Sequence, residues 1–144
     1  MSAVQKKFFL DTNILVCTFD RPTSSKSKKA SGLVTEALET HRGIISYQVV
    51  QEFLNVATRK FSDPMTVPEA QHYLARILMP LCEVFPDSGL YSQAVSIASD
   101  AGISFYDALI VSSAITAGCQ TLWTEDLQDG RRIRSVDIRN PFVA

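Results

Sequence analysis

Sequence features that would assign a common activity are missing from this chain. It contains no GxxxxGK[ST] loop and no GxGxxG fingerprint, so P-loop ATP chemistry and dinucleotide redox chemistry are not expected. No apolar run approaches the roughly 20 residues that span a bilayer. The apolar run after Lys6 and Lys7 is too short for a signal peptide and ends at Asp11. We therefore predict a protein with no membrane association and a cytoplasmic location.

Metal-binding thiols and a basic overall charge are also missing. Cys17, Cys82 and Cys119 are far apart and match no zinc spacing, so we expect buried free thiols in a reducing compartment. The net charge of −1 gives the chain as a whole no basic signature for nucleic acid. The hydrophobic fraction of 46% in 144 residues is enough for a well-filled core, and we predict one domain over residues 1–144.

Short apolar runs alternate with helical patterns along the whole chain. Strands are predicted at residues 6–11, 43–46, 81–85, 120–123 and 136–138, with helices between them. This alternation indicates an α/β fold with a mostly parallel central sheet of about five strands and helices on both faces. Pro141 directly after the last strand suggests that this strand lies at the sheet edge.

The first strand ends on the polar sequence Asp11-Thr12-Asn13. In open α/β sheets ligands bind at the carboxyl ends of the strands, where this carboxylate is expected. The structural alternative is that Asp11 or Thr12 only caps the next helix. A functional role for Asp11 is therefore indicated only if other acids reach the same edge of the sheet.

Three further acids are predicted at that edge. Glu52 lies early in the helix that follows the second strand, and Asp126 comes shortly after the strand ending at Trp123. Asp107 lies in the apolar stripe of a helix that begins near Ser104. Two of them have a structural alternative: Glu52 as a surface acid that pairs with a base, and Asp107 as part of a capping box with Ser104. Their hydroxyl and amide neighbours form a supporting set of Thr12, Asn13, Ser104 and Thr124.

Clustered carboxylates repel one another unless a positive charge lies between them. An oxygen-only set suits a hard cation, Mg²⁺ or Mn²⁺, bound among the four acids. Such an ion polarises a phosphoryl oxygen, which predicts phosphodiester hydrolysis.

The chain resembles the PIN-domain ribonucleases of the VapC type, which are toxins of toxin–antitoxin pairs. The matching stretches are FFLDTNILV (8–16), SYQVVQEFLNVATRK (46–60), ISFYDALIVSSAITAGC (103–119), LWTEDLQDG (122–130) and IRNPF (138–142). The resemblance implies a PIN-like fold and places the family's catalytic acids at Asp11, Glu52, Asp107 and Asp126. In such a nuclease Asp11, Asp107 and Asp126 would hold the metal, and Glu52 would complete the site or orient the attacking water. Glu125 either joins this site or faces solvent beside Asp126.

The resemblance also implies a substrate and partners. These are RNA, including tRNA or rRNA, cut with the help of a metal ion; a cognate antitoxin that blocks the acidic site; and a second copy of the chain in a homodimer. Basic side chains that could guide RNA are Lys26, Lys28, Lys29, Arg131, Arg132 and Arg134.

Two other hypotheses compete with a nuclease. A PIN fold could hold RNA or a protein without cutting, since fold alone does not fix function. A receiver-like phosphoacceptor domain would also place an Asp after a strand, but no lysine follows the late strand where such a domain requires one.

Overall fold

The predicted alternation of strands and helices is present in the computed structural model, which describes residues 6–143. Residues 1–5 and 144, which the single-domain prediction includes, lie outside the described residues. The strands are β1 (Phe8–Leu10), β2 (Gly43–Ser46), β3 (Cys82–Val84), β4 (Thr121–Trp123), β5 (Arg132–Ile133) and β6 (Val136–Arg139). The α-helices are α1 (Thr12–Cys17), α2 (Ser25–Thr40), α3 (Tyr47–Arg59), α4 (Val67–Tyr73), α5 (Met79–Leu81), α6 (Ser88–Ala101) and α7 (Phe105–Thr116), with a π-helical turn at Leu74–Leu78.

The sheet has the strand order β3-β2-β1-β4-β6-β5, and β1 pairs in parallel with both β2 and β4. The chain moves outward from β1 to β2 and β3, then returns to place β4 on the other side of β1. With right-handed connections, this reversal puts α2 and α3 on one face of the sheet and α6 and α7 on the other. The reversal between β1 and β4 is a topological switch point, where open α/β sheets bind ligands.

The predicted sheet differs from the observed one at its edge. Within residues 6–143 the sheet has six strands, because the basic connector after Gly130 contains the two-residue strand β5. β5 pairs antiparallel with β6, so β6 is not the edge strand that Pro141 suggested. A two-residue strand gives no hydrophobic alternation that the sequence could reveal.

The helices α6 and α7 pack against each other and supply much of the core on their side of the sheet. Every residue of α7 from Ala108 to Ala114 is buried. No single helix among the described residues is long and apolar enough to cross a membrane, and α6 and α7 meet that criterion only as a pair, across a bend of 118°. Gly102 makes the sharp exit from α6 possible because its φ of 66° is in the left-handed region.

Gly43, at the start of β2, lies so close to helix α2 that we expect even an alanine there to destabilise the fold. A Cβ atom added there would lie 2.7 Å from the Cα of Ala37 and 2.8 Å from the Phe8 ring, so helix α2 would have to move. We expect Gly43→Ala to lower the free energy of unfolding by about 1–3 kcal/mol, measured by urea denaturation. Gly32→Ala is the matched control, since nothing lies within 4 Å of its added Cβ in α2. It should stabilise by about 0.5–1 kcal/mol through helix propensity, and equal effects of both changes would contradict this packing argument.

Candidate active site

Asp11 lies at the switch point, one residue beyond the end of β1. Its backbone N–H donates to the Trp123 carbonyl of β4 over 3.1 Å, which fixes it beside the carboxyl end of that neighbouring strand. Its Oδ1 accepts from the Thr12 N–H at 2.7 Å and caps α1. Asp11 is therefore a helix cap and also the buried acid at the predicted edge of the sheet, so the structural alternative describes only part of its environment.

Thr124 holds the second oxygen of the Asp11 carboxylate. Its hydroxyl donates to Asp11 Oδ2 at 2.8 Å and accepts from the Asp126 backbone N–H at 3.1 Å. Asn13 Nδ2 reaches the same hydroxyl at 3.3 Å and Asp11 Oδ2 at 3.4 Å. Because both groups that bind the Thr124 oxygen are donors, its single proton is directed to Asp11. Three of the four predicted supporting residues, Thr12, Asn13 and Thr124, thus contact Asp11.

The residue Asp11 is only 6% exposed. Burial raises its pKa from the ordinary 3.8 to about 7, against the opposing effect of the hydrogen bonds from Thr124 and the Thr12 N–H. The negative charges of Asp126 and Glu52 raise this pKa further, so both acids are close enough to act on Asp11. A cation bound beside these carboxylates would favour the ionised form of Asp11.

Glu52 is connected to Asp11 through Thr12. The Thr12 hydroxyl donates to Glu52 Oε2 at 3.1 Å, and its backbone N–H binds Asp11. The other Glu52 oxygen accepts from Gln48 Nε2 at 2.8 Å. Sequence reasoning missed Gln48, although it lies four residues before Glu52 on the same helix, the spacing at which side chains meet.

Asp107 lies in the first turn of α7 and is half-buried. Its backbone N–H donates to the Ser104 hydroxyl at 3.1 Å, so Ser104 is the N-cap of α7 and is not seen in the network around Asp11. Gln48 Nε2 also donates to the Tyr106 carbonyl at 3.3 Å. This contact joins the first turn of α7, and with it the backbone before Asp107, to the Glu52 side of the site.

The described residues contain no group of three or more His, Cys, Asp or Glu side chains arranged to hold a metal ion. The predicted ligand set therefore stays a prediction. Its donor chemistry suits Mg²⁺ or Mn²⁺, because every candidate atom is a carboxylate, hydroxyl or amide oxygen. Mg²⁺ keeps several waters and commonly uses only one or two carboxylates. The buried Asp11 carboxylate with its acidic neighbours fits that requirement.

The Glu125 side chain pairs with a base, whereas its backbone N–H donates to Asn13 Oδ1 of the Asp11 network at 3.3 Å. Its Oε2 lies 2.7 Å from Lys26 Nζ, and the Cys17 thiol donates to its Oε1 at 3.7 Å. Lys26 also lies 5.2 Å from the centre of the Phe142 ring. In this conformation the charges of Lys26 and Glu125 are paired with each other.

Three other predicted RNA contacts are engaged within the chain. Arg131 donates to the Ala101 carbonyl at 2.6 Å, Arg132 pairs with Asp137 at 3.1 Å and Arg134 pairs with Asp100 at 2.7 Å.

Lys28 and Lys29 are both exposed on α2. Lys29 lines a cavity of about 750 Å³ that Trp123 and Arg139 also line, close to the start of the acidic edge at Thr124. Contact of any of the six bases with RNA stays a prediction.

The PIN domain family model matches residues 8–134, which include all four acids. The chain belongs to the PIN domain family. Comparison with curated protein sequences gives no significant match.

Solved structures similar to this PIN domain include proteins described as toxins or toxin–antitoxin complexes. A toxin–antitoxin complex from Klebsiella pneumoniae shares 19% identity at a TM-score of 0.65, over 94% of this chain and 98% of that one. DNA-bound VapBC from Salmonella typhimurium shares 22% identity at a TM-score of 0.62, over 95% and 99% of the two chains. VapC20 from Mycobacterium tuberculosis, a Sarcin-Ricin loop cleaving toxin, shares 18% at a TM-score of 0.58, over 83% and 92%. At these identities the likeness shows a common PIN fold.

Proposed function

We propose that this PIN domain is a metal-dependent endoribonuclease that hydrolyses RNA phosphodiester bonds, as the toxin of a toxin–antitoxin pair. The observation that carries the proposal is the buried Asp11 carboxylate, fixed at the switch point with Glu52 and Asp126 close enough to raise its pKa. A fold gains no stability from grouping acids there, because each negative charge disfavours its neighbours. A bound cation explains why such a group is present.

The proposed roles are those that the resemblance to PIN-domain ribonucleases implies. Asp11, Asp107 and Asp126 would hold Mg²⁺ or Mn²⁺, and Glu52 would orient the attacking water. Thr12, Asn13 and Thr124 hold Asp11 in place, while Ser104 fixes the first turn of α7. The bound metal ion would polarise a phosphoryl oxygen of the substrate and offset the negative charge that develops on it.

The substrate and partners belong to the same proposal. VapC20 cleaves the Sarcin-Ricin loop, and that likeness supports RNA, including rRNA or tRNA, as the substrate class. The toxin–antitoxin complex from Klebsiella pneumoniae supports an antitoxin as partner. A homodimer and a cytoplasmic location complete the proposal.

Removal of the metal is the direct test of this function. We expect purified protein to cut single-stranded or structured RNA in millimolar Mg²⁺ or Mn²⁺, and to lose cleavage in EDTA, since the acids alone repel the phosphate. Adding Mg²⁺ in excess of the chelator should restore the rate. Cleavage that is equally fast in EDTA would contradict the proposal.

The silent binding module is the other outcome of this experiment. It predicts RNA binding that does not change with Mg²⁺, together with no cleavage of any RNA tested. Binding by this module would then rest on the basic side chains and not on the four acids.

A further inference from the structure

Gln48 is a buried polar side chain at the junction of three elements of the site. It is the second residue of α3 and only 6% exposed. Its Nε2 atom donates to Glu52 Oε1 at 2.8 Å and to the Tyr106 carbonyl of α7 at 3.3 Å. The other Glu52 oxygen accepts from Thr12, which follows Asp11 directly. One amide group therefore joins the acid of α3 to the helix that carries Asp107.

The two acceptors determine the orientation of the Gln48 amide. If the group were turned over, its oxygen would face the Glu52 carboxylate and the Tyr106 carbonyl, which are both acceptors. In the observed orientation Oε1 is buried without a hydrogen-bond partner among the described residues. An unpaired buried acceptor costs free energy that an apolar side chain of the same length would avoid. The chain thus places a polar group where packing alone would favour an apolar one.

We infer that Gln48 is a positioning residue of the proposed nuclease site, which acts by fixing the Glu52 carboxylate against the first turn of α7. This inference rests on the proposed function. Glu52 itself is exposed and its side chain has three rotatable bonds, so hydrogen bonds must select its conformation. Thr12 fixes one Glu52 oxygen relative to Asp11, and Gln48 fixes the other relative to the Tyr106 carbonyl in the first turn of α7. A carboxylate held from both sides keeps its orientation when substrate arrives.

The test compares Gln48→Met with Gln51→Met in RNA cleavage. Methionine has nearly the length of glutamine but no donor, whereas Gln51 is exposed on the same helix. We expect Gln48→Met to lower kcat about tenfold with KM within about twofold, since a hydrogen bond to a charged group is lost. Gln51→Met should leave both parameters unchanged. An unchanged kcat in a folded Gln48→Met protein overturns the inference.

A double-mutant cycle with Glu52→Gln distinguishes an effect of Gln48 on the position of Glu52 from a general disturbance of the site. If Gln48 acts through Glu52, Gln48→Met should change the residual single-turnover rate of the Glu52→Gln protein by less than about twofold. An equal tenfold loss in both backgrounds overturns the inference, because the effect would not pass through Glu52. If the Met variant fails to fold, Gln48→Asn replaces it in the test. Asn keeps a polar amide but withdraws it from Glu52, so we expect the same loss of kcat.

Failure of the proposed function would appear separately in the same experiment. In that case the wild type itself cuts no RNA in Mg²⁺ or Mn²⁺. A wild type that cuts RNA, together with Gln48 variants that cut equally well, rejects only the role assigned to Gln48.

Discussion

Replacing Asp11 by Asn should lower metal-dependent RNA cleavage by more than about a hundredfold. Changing even an outer partner of a metal ligand typically costs about 10- to 100-fold, and Asp11 is the acid at the centre of the described network. Asn keeps the shape of the side chain and can still accept from Thr12, but it lacks the negative charge that a cation requires. The loss should therefore appear in cleavage, with the fold retained.

The measurement is the initial rate of RNA cleavage in Mg²⁺ and in Mn²⁺, with circular dichroism to confirm the fold. Asp63→Asn is the matched control, because Asp63 is an exposed acid in the loop after α3 and takes no part in the hydrogen bonds around Asp11. We expect the control to cleave at the wild-type rate. An Asp11→Asn protein that cuts at that rate would remove Asp11 from the mechanism.

The metal-free protein should lose stability as the pH rises from about 4 to about 7. The folded-state pKa of Asp11 is about 7, against an ordinary value of 3.8, so between these values the folded protein binds more protons than the unfolded chain. Stability that is fully present below pH 4 is therefore lost progressively up to about pH 7. The full difference corresponds to a free energy on the order of 4 kcal/mol. Asp11→Asn should abolish this part of the pH dependence and be the more stable protein at pH 8.

Urea denaturation in EDTA at several pH values between 4 and 8 measures this effect. The quantity compared is the difference in free energy of unfolding between wild type and Asp11→Asn at each pH, because other titrating groups cancel in it. Asp63→Asn serves again as the control and should follow the wild type. A difference that stays constant with pH would show that Asp11 titrates normally in the folded state. Mg²⁺ added at pH 8 should raise the stability of the wild type more than that of Asp11→Asn, since a ligand stabilises the state that binds it.

These two predictions describe opposite effects of one side chain. Asp11 is costly for stability because burial and two neighbouring acids disfavour its charge. It is expected to be required for catalysis because a buried, fixed carboxylate is ready to bind a cation. Sites where a local rule of stability is broken are commonly functional sites, which agrees with the place of Asp11 at the switch point.

The sequence determined the class of fold through local patterns. Apolar runs bounded by polar residues predicted all five strands of the parallel part of the sheet, β1, β2, β3, β4 and β6, and the helical periodicity between the first four indicated parallel pairing. The strand β5 could not be predicted, since its two residues show no periodicity and their pairing with β6 is a tertiary contact. The order of the strands, and with it the switch point between β1 and β4, also follows from packing of the whole chain.

Which acids lie at the ends of strands and the beginnings of helices could also be predicted from the sequence, because those positions depend on local pattern alone. Which side chains meet there depends on the tertiary structure. Thr124 donates to Asp11 from 113 residues away, Gln48 reaches Tyr106 across 58 residues, and Lys26 pairs with Glu125 across 99. No local pattern encodes these contacts, since each depends on which strands become neighbours and on how helices pack against them.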